Sequence, residues 1–140
     1  MAGNIQPIYS RVGDVQWATS AVTAQNTTTD LTSGGTIYAV FTADSTNGGY
    51  IQRIRFRPLG NNVATVVRVW INNGSTTGTA ANNIQWDDIT LAATTANAAA
   101  SLATSELPLN FALPPGYVVY VTLGTAVAAG YHVTVVGGKY

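Results

Sequence analysis

"YIQRIRFRPLGNNVATVVRVWI", residues 50–71, changes character at every second position. In 50–57 the even set is Tyr50, Gln52, Ile54 and Phe56, and the odd set is Ile51, Arg53, Arg55 and Arg57. Alternate side chains of a strand point to opposite faces, so this period predicts a strand with Ile54 and Phe56 inward and the arginines outward. In 63–71 the odd set Val63, Thr65, Val67, Val69 and Ile71 reads as a core face. The even set Ala64, Val66, Arg68 and Trp70 then looks outward, although Val66 and Trp70 are not what a solvated sheet face normally carries. A hairpin through Gly60, Asn61 and Asn62 would put Arg68 and Trp70 on the same side as the arginine row.

The same period runs through the chain. Residues 36–43, 83–91, 107–112, 117–123 and 131–136 are β-branched, aromatic or alternating, and residues 4–9 and 13–23 suggest one or two weaker strands at the start. Glycine, asparagine and proline punctuate the gaps at 33–35, 45–49, 60–62, 72–83, 114–116 and 124–130. About eight short strands so spaced predict an all-β, antiparallel jelly roll or sandwich. Residues 92–104 are rich in Ala and Thr and read as a long loop with one helical turn at most. Residues 107–138 hold no charged residue, but Pro114, Pro115, Gly116, Gly124 and Gly130 cut them into pieces too short for a membrane helix.

Composition narrows the function. The chain has 140 residues, six Lys+Arg, six Asp+Glu and a formal net charge of zero. Charged residues make up 9%, against about 25% in ordinary soluble domains. A protein this sparing with charge is expected to be covered by copies of itself or by a larger assembly. With no cysteine there is neither a disulfide framework nor a thiolate metal site. The first residues carry no continuous apolar run behind a basic start, so no secretory leader is read there.

Catalytic signatures do not emerge. Asp87 and Asp88 are adjacent and, on a strand, point apart, so they cannot flank one bond; one surface carboxylate and one arginine partner is the expectation. His132 is the single histidine, and metal binding would need acids from distant loops. The stretch 44–49, DSTNGG, lacks the order of a calcium loop and reads as a hairpin turn. Neither an enzyme nor a cofactor is expected. Trp17, Trp70 and Trp86 read as core or interface anchors. Half of the basic residues fall in one row, Arg53, Arg55 and Arg57. With no aromatic interleaved among them and no net positive charge, the row suits protein docking better than nucleic acid. Arg53, Arg55, Arg57, Arg68, Trp70 and Val66 are therefore the candidate protein-interface residues.

Three stretches, "IQRIRFRPLGNNVATVVRVWINNG" (51–74), "LPLNFALPPGYVVYVTLG" (107–124) and "TAVAAGYHVTVVGGKY" (125–140), resemble small jelly-roll proteins of tailed-phage structural gene clusters. The nearest likeness is to the cement, or decoration, proteins of phage heads, and it covers roughly residues 36–140. The resemblance implies a non-enzymatic virion protein on the outer surface of the capsid. Its partners would be the major capsid protein and further copies of itself, as a homodimer or homotrimer, with no nucleic acid and no membrane. Residues 1–35 fall outside the likeness and are expected to form an arm or extension, with possible first strands, ahead of a 36–140 domain. The rival expectation is a carbohydrate- or receptor-binding module of a tail fibre, which would show exposed aromatics among polar neighbours in one groove.

Overall fold

The structure is a computed structural model, and it describes residues 10–28, 30–33 and 35–140. Eight strands run through the described residues: β1 (Val12–Trp17), β2 (Tyr38–Thr42), β3 (Gly49–Pro58), β4 (Thr65–Asn72), β5 (Asn83–Leu91), β6 (Ser105–Leu113), β7 (Val118–Leu123) and β8 (Tyr131–Lys139). They form two four-stranded antiparallel sheets, in the orders β1-β8-β3-β6 and β2-β7-β4-β5. That interleaving, with most successive strands in opposite sheets, is the jelly-roll arrangement anticipated from the spacing of strands and turns.

Alternation fixes which residues meet in the middle. Ile54 and Phe56 of β3, Val67 and Val69 of β4, Val119 and Val121 of β7, and Val133 and Val135 of β8 are at most 1% exposed and share one apolar cluster. One parity expectation fails. Ile51, assigned outward, is fully buried because the register slips between Ile51 and Arg53 against both neighbours of β3. Against β8 the extra residue is Gln52, a bulge that turns Ile51 and Ile54 both inward, whereas against β6 the extra residue lies on β6, between Pro108 and Phe111. Val63, assigned to the core, lies before β4 and is 55% exposed.

The expected hairpin through 60–62 does not form. β3 belongs to one sheet and β4 to the other, so the segment between them crosses the sandwich. The reason is Asn62, which is buried and bonded far along the chain. Its Nδ2 donates to the Gly130 carbonyl (3.1 Å), and its Oδ1 accepts from the Ala129 and Gly130 amides (3.0 and 2.8 Å). Its backbone also pairs reciprocally with Thr94. These bonds hold the connection to the loops before β6 and β8 rather than letting it fold back on itself.

Residues 44–49 likewise form a turn between sheets, not a hairpin, because β2 and β3 are in different sheets. The Asp44 carboxylate accepts from the Thr46 and Asn47 amides (2.9 and 2.8 Å). Gly48 closes the turn at φ 77°, where a side chain would also meet the Leu113 carbonyl at 2.4 Å. Residues 92–104 contain no helical turn; the short 3-10 turn sits at Ala80–Asn82 instead.

The two open sides of the sandwich are closed by side chains. On one, Gln16 of β1 donates to the Thr42 carbonyl (2.9 Å) and accepts from the Thr42 amide (2.8 Å), joining β1 to β2. On the other, Trp86 of β5 meets Phe111 of β6 with ring centroids 4.7 Å apart and planes tilted by 53°. Trp86 is the extra residue of a second bulge, between the pairs Val69–Asp87 and Trp70–Gln85. Because β1 starts at Val12, the sandwich takes in part of the 1–35 stretch; the strand anticipated at 4–9 lies outside the described residues.

Candidate functional site: the outer face of the β1-β8-β3-β6 sheet

Register places the arginine row in the middle of an outward face. Across from β3, Arg53, Arg55 and Arg57 lie opposite Val136, Thr134 and His132 of β8. One strand further, Val136 and Thr134 lie opposite Val15 and Trp17 of β1. On the other flank, Arg53 and Arg55 lie opposite Pro108 and Glu106 of β6. Lines such as Trp17–Thr134–Arg55–Glu106 therefore run across the sheet at about 4.8 Å per strand.

The face is wet and partly paired. Arg55 Nε lies 2.8 Å from Glu106 Oε1, while Arg53 Nε lies 3.7 Å from Oε2, with all three side chains 40–48% exposed. Exposed ion pairs of this kind contribute about 0–1 kcal/mol, so they orient the guanidinium groups more than they hold the fold. Arg57 Nη1 donates to the Leu102 carbonyl. Glu106 is the one carboxylate that pairs with the row among the described residues. Beyond β8 the face becomes apolar: Trp17 is 63% exposed and Val15 52%.

The remaining candidates sit elsewhere. Val66, Arg68 and Trp70 are on β4, in the opposite sheet, so the structure does not bring them to the arginine row. Trp70 does look away from the core, but it is only 4% exposed, and its Nε1 donates to Thr122 Oγ1 (3.0 Å). The indole is covered by the chain itself and offers no surface in the isolated protein. Val66 and Arg68 are half-buried. Arg68 Nη1 is buried without a hydrogen-bond partner. Asp88, opposite Arg68 in register, instead accepts from Gln85 (3.3 Å), so the expected aspartate–arginine pair is not made. Asp87 and Asp88 are both exposed.

Sequence reasoning did not assign Glu106, His132, Thr134 and Trp17 to this face. Period two along 12–17 puts Val15 and Trp17 on one side, which was the available signal. That the side is the arginine side depends on the β1–β8 pairing, which spans the whole chain.

No protein-family model matches the chain, and neither a curated protein nor a solved structure matches it.

Proposed function

We propose that this chain is a viral structural protein, a cement protein that binds the outer surface of a phage head and bridges major capsid protein subunits. The observation that carries the reading is the outer face of the β1-β8-β3-β6 sheet, where a row of three arginines meets a single carboxylate, paired with Arg53 and Arg55, beside an exposed tryptophan and valine. Arginine with aromatic neighbours is the composition of a docking patch. The planar fork makes directed hydrogen bonds to carboxylates and carbonyls, and its stem packs on apolar surface. The low overall charge and the resemblance of 51–74, 107–124 and 125–140 to cement proteins support the same reading.

The mechanism is additive. A patch of this size gives moderate affinity by itself, and repetition over a lattice of identical subunits multiplies it through effective concentration. Formal neutrality reduces repulsion between copies arrayed side by side.

The test is co-sedimentation with empty shells assembled from the major capsid protein encoded in the same genome. The purified chain is expected to pellet with shells, and Arg53→Glu, Arg55→Glu and Arg57→Glu combined is expected to stay in the supernatant. A wild-type chain that never pellets ends the capsid reading. Undiminished pelleting of the triple variant removes the arginine row from it.

A further inference from the structure

A cavity of about 430 Å³ opens at one margin of this face, lined by Trp17, Thr19, Ser20, His132 and Thr134. Its shape is built by the backbone. Ala18 donates to the Val133 carbonyl (3.0 Å), and Val22 exchanges bonds with Tyr131 (2.9 and 3.1 Å). The chain is thus clamped to β8 at both ends of a three-residue arch, and Thr19, Ser20 and Ala21 form its rim. The small side chains of Ala18 and Ala21 line the same space and leave room in it. The volume lies within the range of small-ligand sites, roughly 300–1,000 Å³.

The lining has an unusual combination of groups. Trp17 presents an indole 63% open to solvent. The hydroxyls of Thr19, Ser20 and Thr134 and the imidazole of His132 make no side-chain hydrogen bond within the described residues, although all four line one concavity. A flat apolar ring beside several free donors and acceptors matches a pyranose, which has one C–H face and a periphery of hydroxyls. Cation placement narrows the class: Thr134 and His132 lie directly opposite Arg55 and Arg57. Side chains so paired have Cβ atoms about 5 Å apart. Arg55 and Arg57 are turned to Glu106 and the Leu102 carbonyl on the other flank, but an exposed pair such as Arg55–Glu106 is weak, so an anionic substituent on a sugar stacked over Trp17 would compete for the guanidinium and draw it across.

We infer that the cavity at Trp17 is a binding site for an acidic saccharide, with the indole as stacking platform, Thr19, Ser20, Thr134 and His132 as hydroxyl partners, and Arg55 and Arg57 biasing the site toward a sugar carboxylate. This inference does not rest on capsid binding, because it is carried by the cavity and its unpartnered lining.

The experiment is calorimetric titration of the full chain with sialyllactose and trigalacturonic acid, and with lactose as the uncharged probe, alongside tryptophan fluorescence. At least one acidic probe is expected to bind with a dissociation constant of about 1 mM or below, at least about tenfold tighter than lactose, and to quench fluorescence. Trp17→Ala is expected to weaken binding by about tenfold or more and abolish the quench, while Trp86→Phe, far from the cavity, leaves both in place. Thr134→Val, which keeps shape and removes a hydroxyl, is expected to weaken binding without altering the fold. No heat with either acidic probe at about 10 mM overturns the site. Lactose binding as tightly as the acidic probes overturns the acidic assignment. Trp17→Ala binding like wild type moves the ligand elsewhere and overturns the inference. Shell co-sedimentation of the wild-type chain, measured in parallel without sugar, separates failure here from failure of the capsid reading.

Discussion

Replacing Asn62 by alanine should cost far more than the same change one residue earlier. Asn62 is 5% exposed, and its side chain makes three hydrogen bonds to residues 129 and 130. Truncation does not orphan all three partners. The Gly130 carbonyl keeps the Leu59 amide at 3.0 Å, and the half-buried Ala129 amide can reach water. The Gly130 amide is buried and loses its acceptor. An unsatisfied buried N–H costs about 1–3 kcal/mol, and the two weaker losses together add roughly another 0.5–1 kcal/mol. The expected destabilisation is therefore about 1.5–4 kcal/mol, a large share of the roughly 5–15 kcal/mol by which domains are stable. At about 2.1 cal/mol/K per residue over 140 residues, this lowers the melting temperature by roughly 5–14 °C. Asn61 provides the internal comparison. It is exposed and its side chain accepts one bond, from the Ala96 amide, so Asn61→Ala should cost about 0.5–1 kcal/mol. Urea unfolding followed by circular dichroism and tryptophan fluorescence measures both. If Asn62→Ala loses less than about 1 kcal/mol, or no more than Asn61→Ala, then water replaces the amide and the explanation for the β3–β4 crossing is wrong.

Glu106→Gln should change stability by less than about 1 kcal/mol because both its arginine contacts are exposed. It should strengthen binding to an acidic partner and steepen its salt dependence, which titration at two ionic strengths would show. Trp86→Ala removes the ring contact with Phe111 and should destabilise by at least about 0.5–1.5 kcal/mol, read as a shift in the urea midpoint with an unchanged slope. Backbone hydrogen bonds from Asn47, then Thr46, hold the Asp44 carboxyl below its usual 3.8. The charged form is the one favoured by folding, so its contribution is present above pH 3.8 and is lost as the pH falls through the lower folded value. The stability gap between wild type and Asp44→Ala should accordingly be open at pH 7 and narrow under acid, as thermal melts across that range would report.

What was legible in the sequence was local. Alternation in 50–57, 63–71, 117–123 and 131–136 named the strands and most of their inward residues, because period two is a property of the chain itself. Topology was less accessible. A short Gly-Asn-Asn segment suits a tight turn and a crossing equally well, and the deciding bonds join Asn62 to residues 129 and 130. Bulges at Gln52 and Trp86 were hidden for a similar reason: each is a mismatch between a strand and its neighbours. Parity put Trp70 on the outside correctly, but facing outward is not the same as facing water, and the indole is only 4% exposed, tied to Thr122 of the neighbouring strand. The arginine row was visible as a row. Its companions Trp17, His132 and Glu106 come from three other strands, so only the pairing pattern could assemble them.

The amide of Gln16 has a consequence beyond joining two strands. β2 ends a sheet, and an uncovered sheet border invites further chains to add on, a route to fibrous precipitates. Proteins rich in charge discourage such growth by repulsion, a defence this neutral chain largely lacks. By occupying both hydrogen-bonding groups of Thr42, Gln16 acts as a neutral stopper at that border. A weakly charged molecule is thereby given a defence against strand addition at that border that needs no charge.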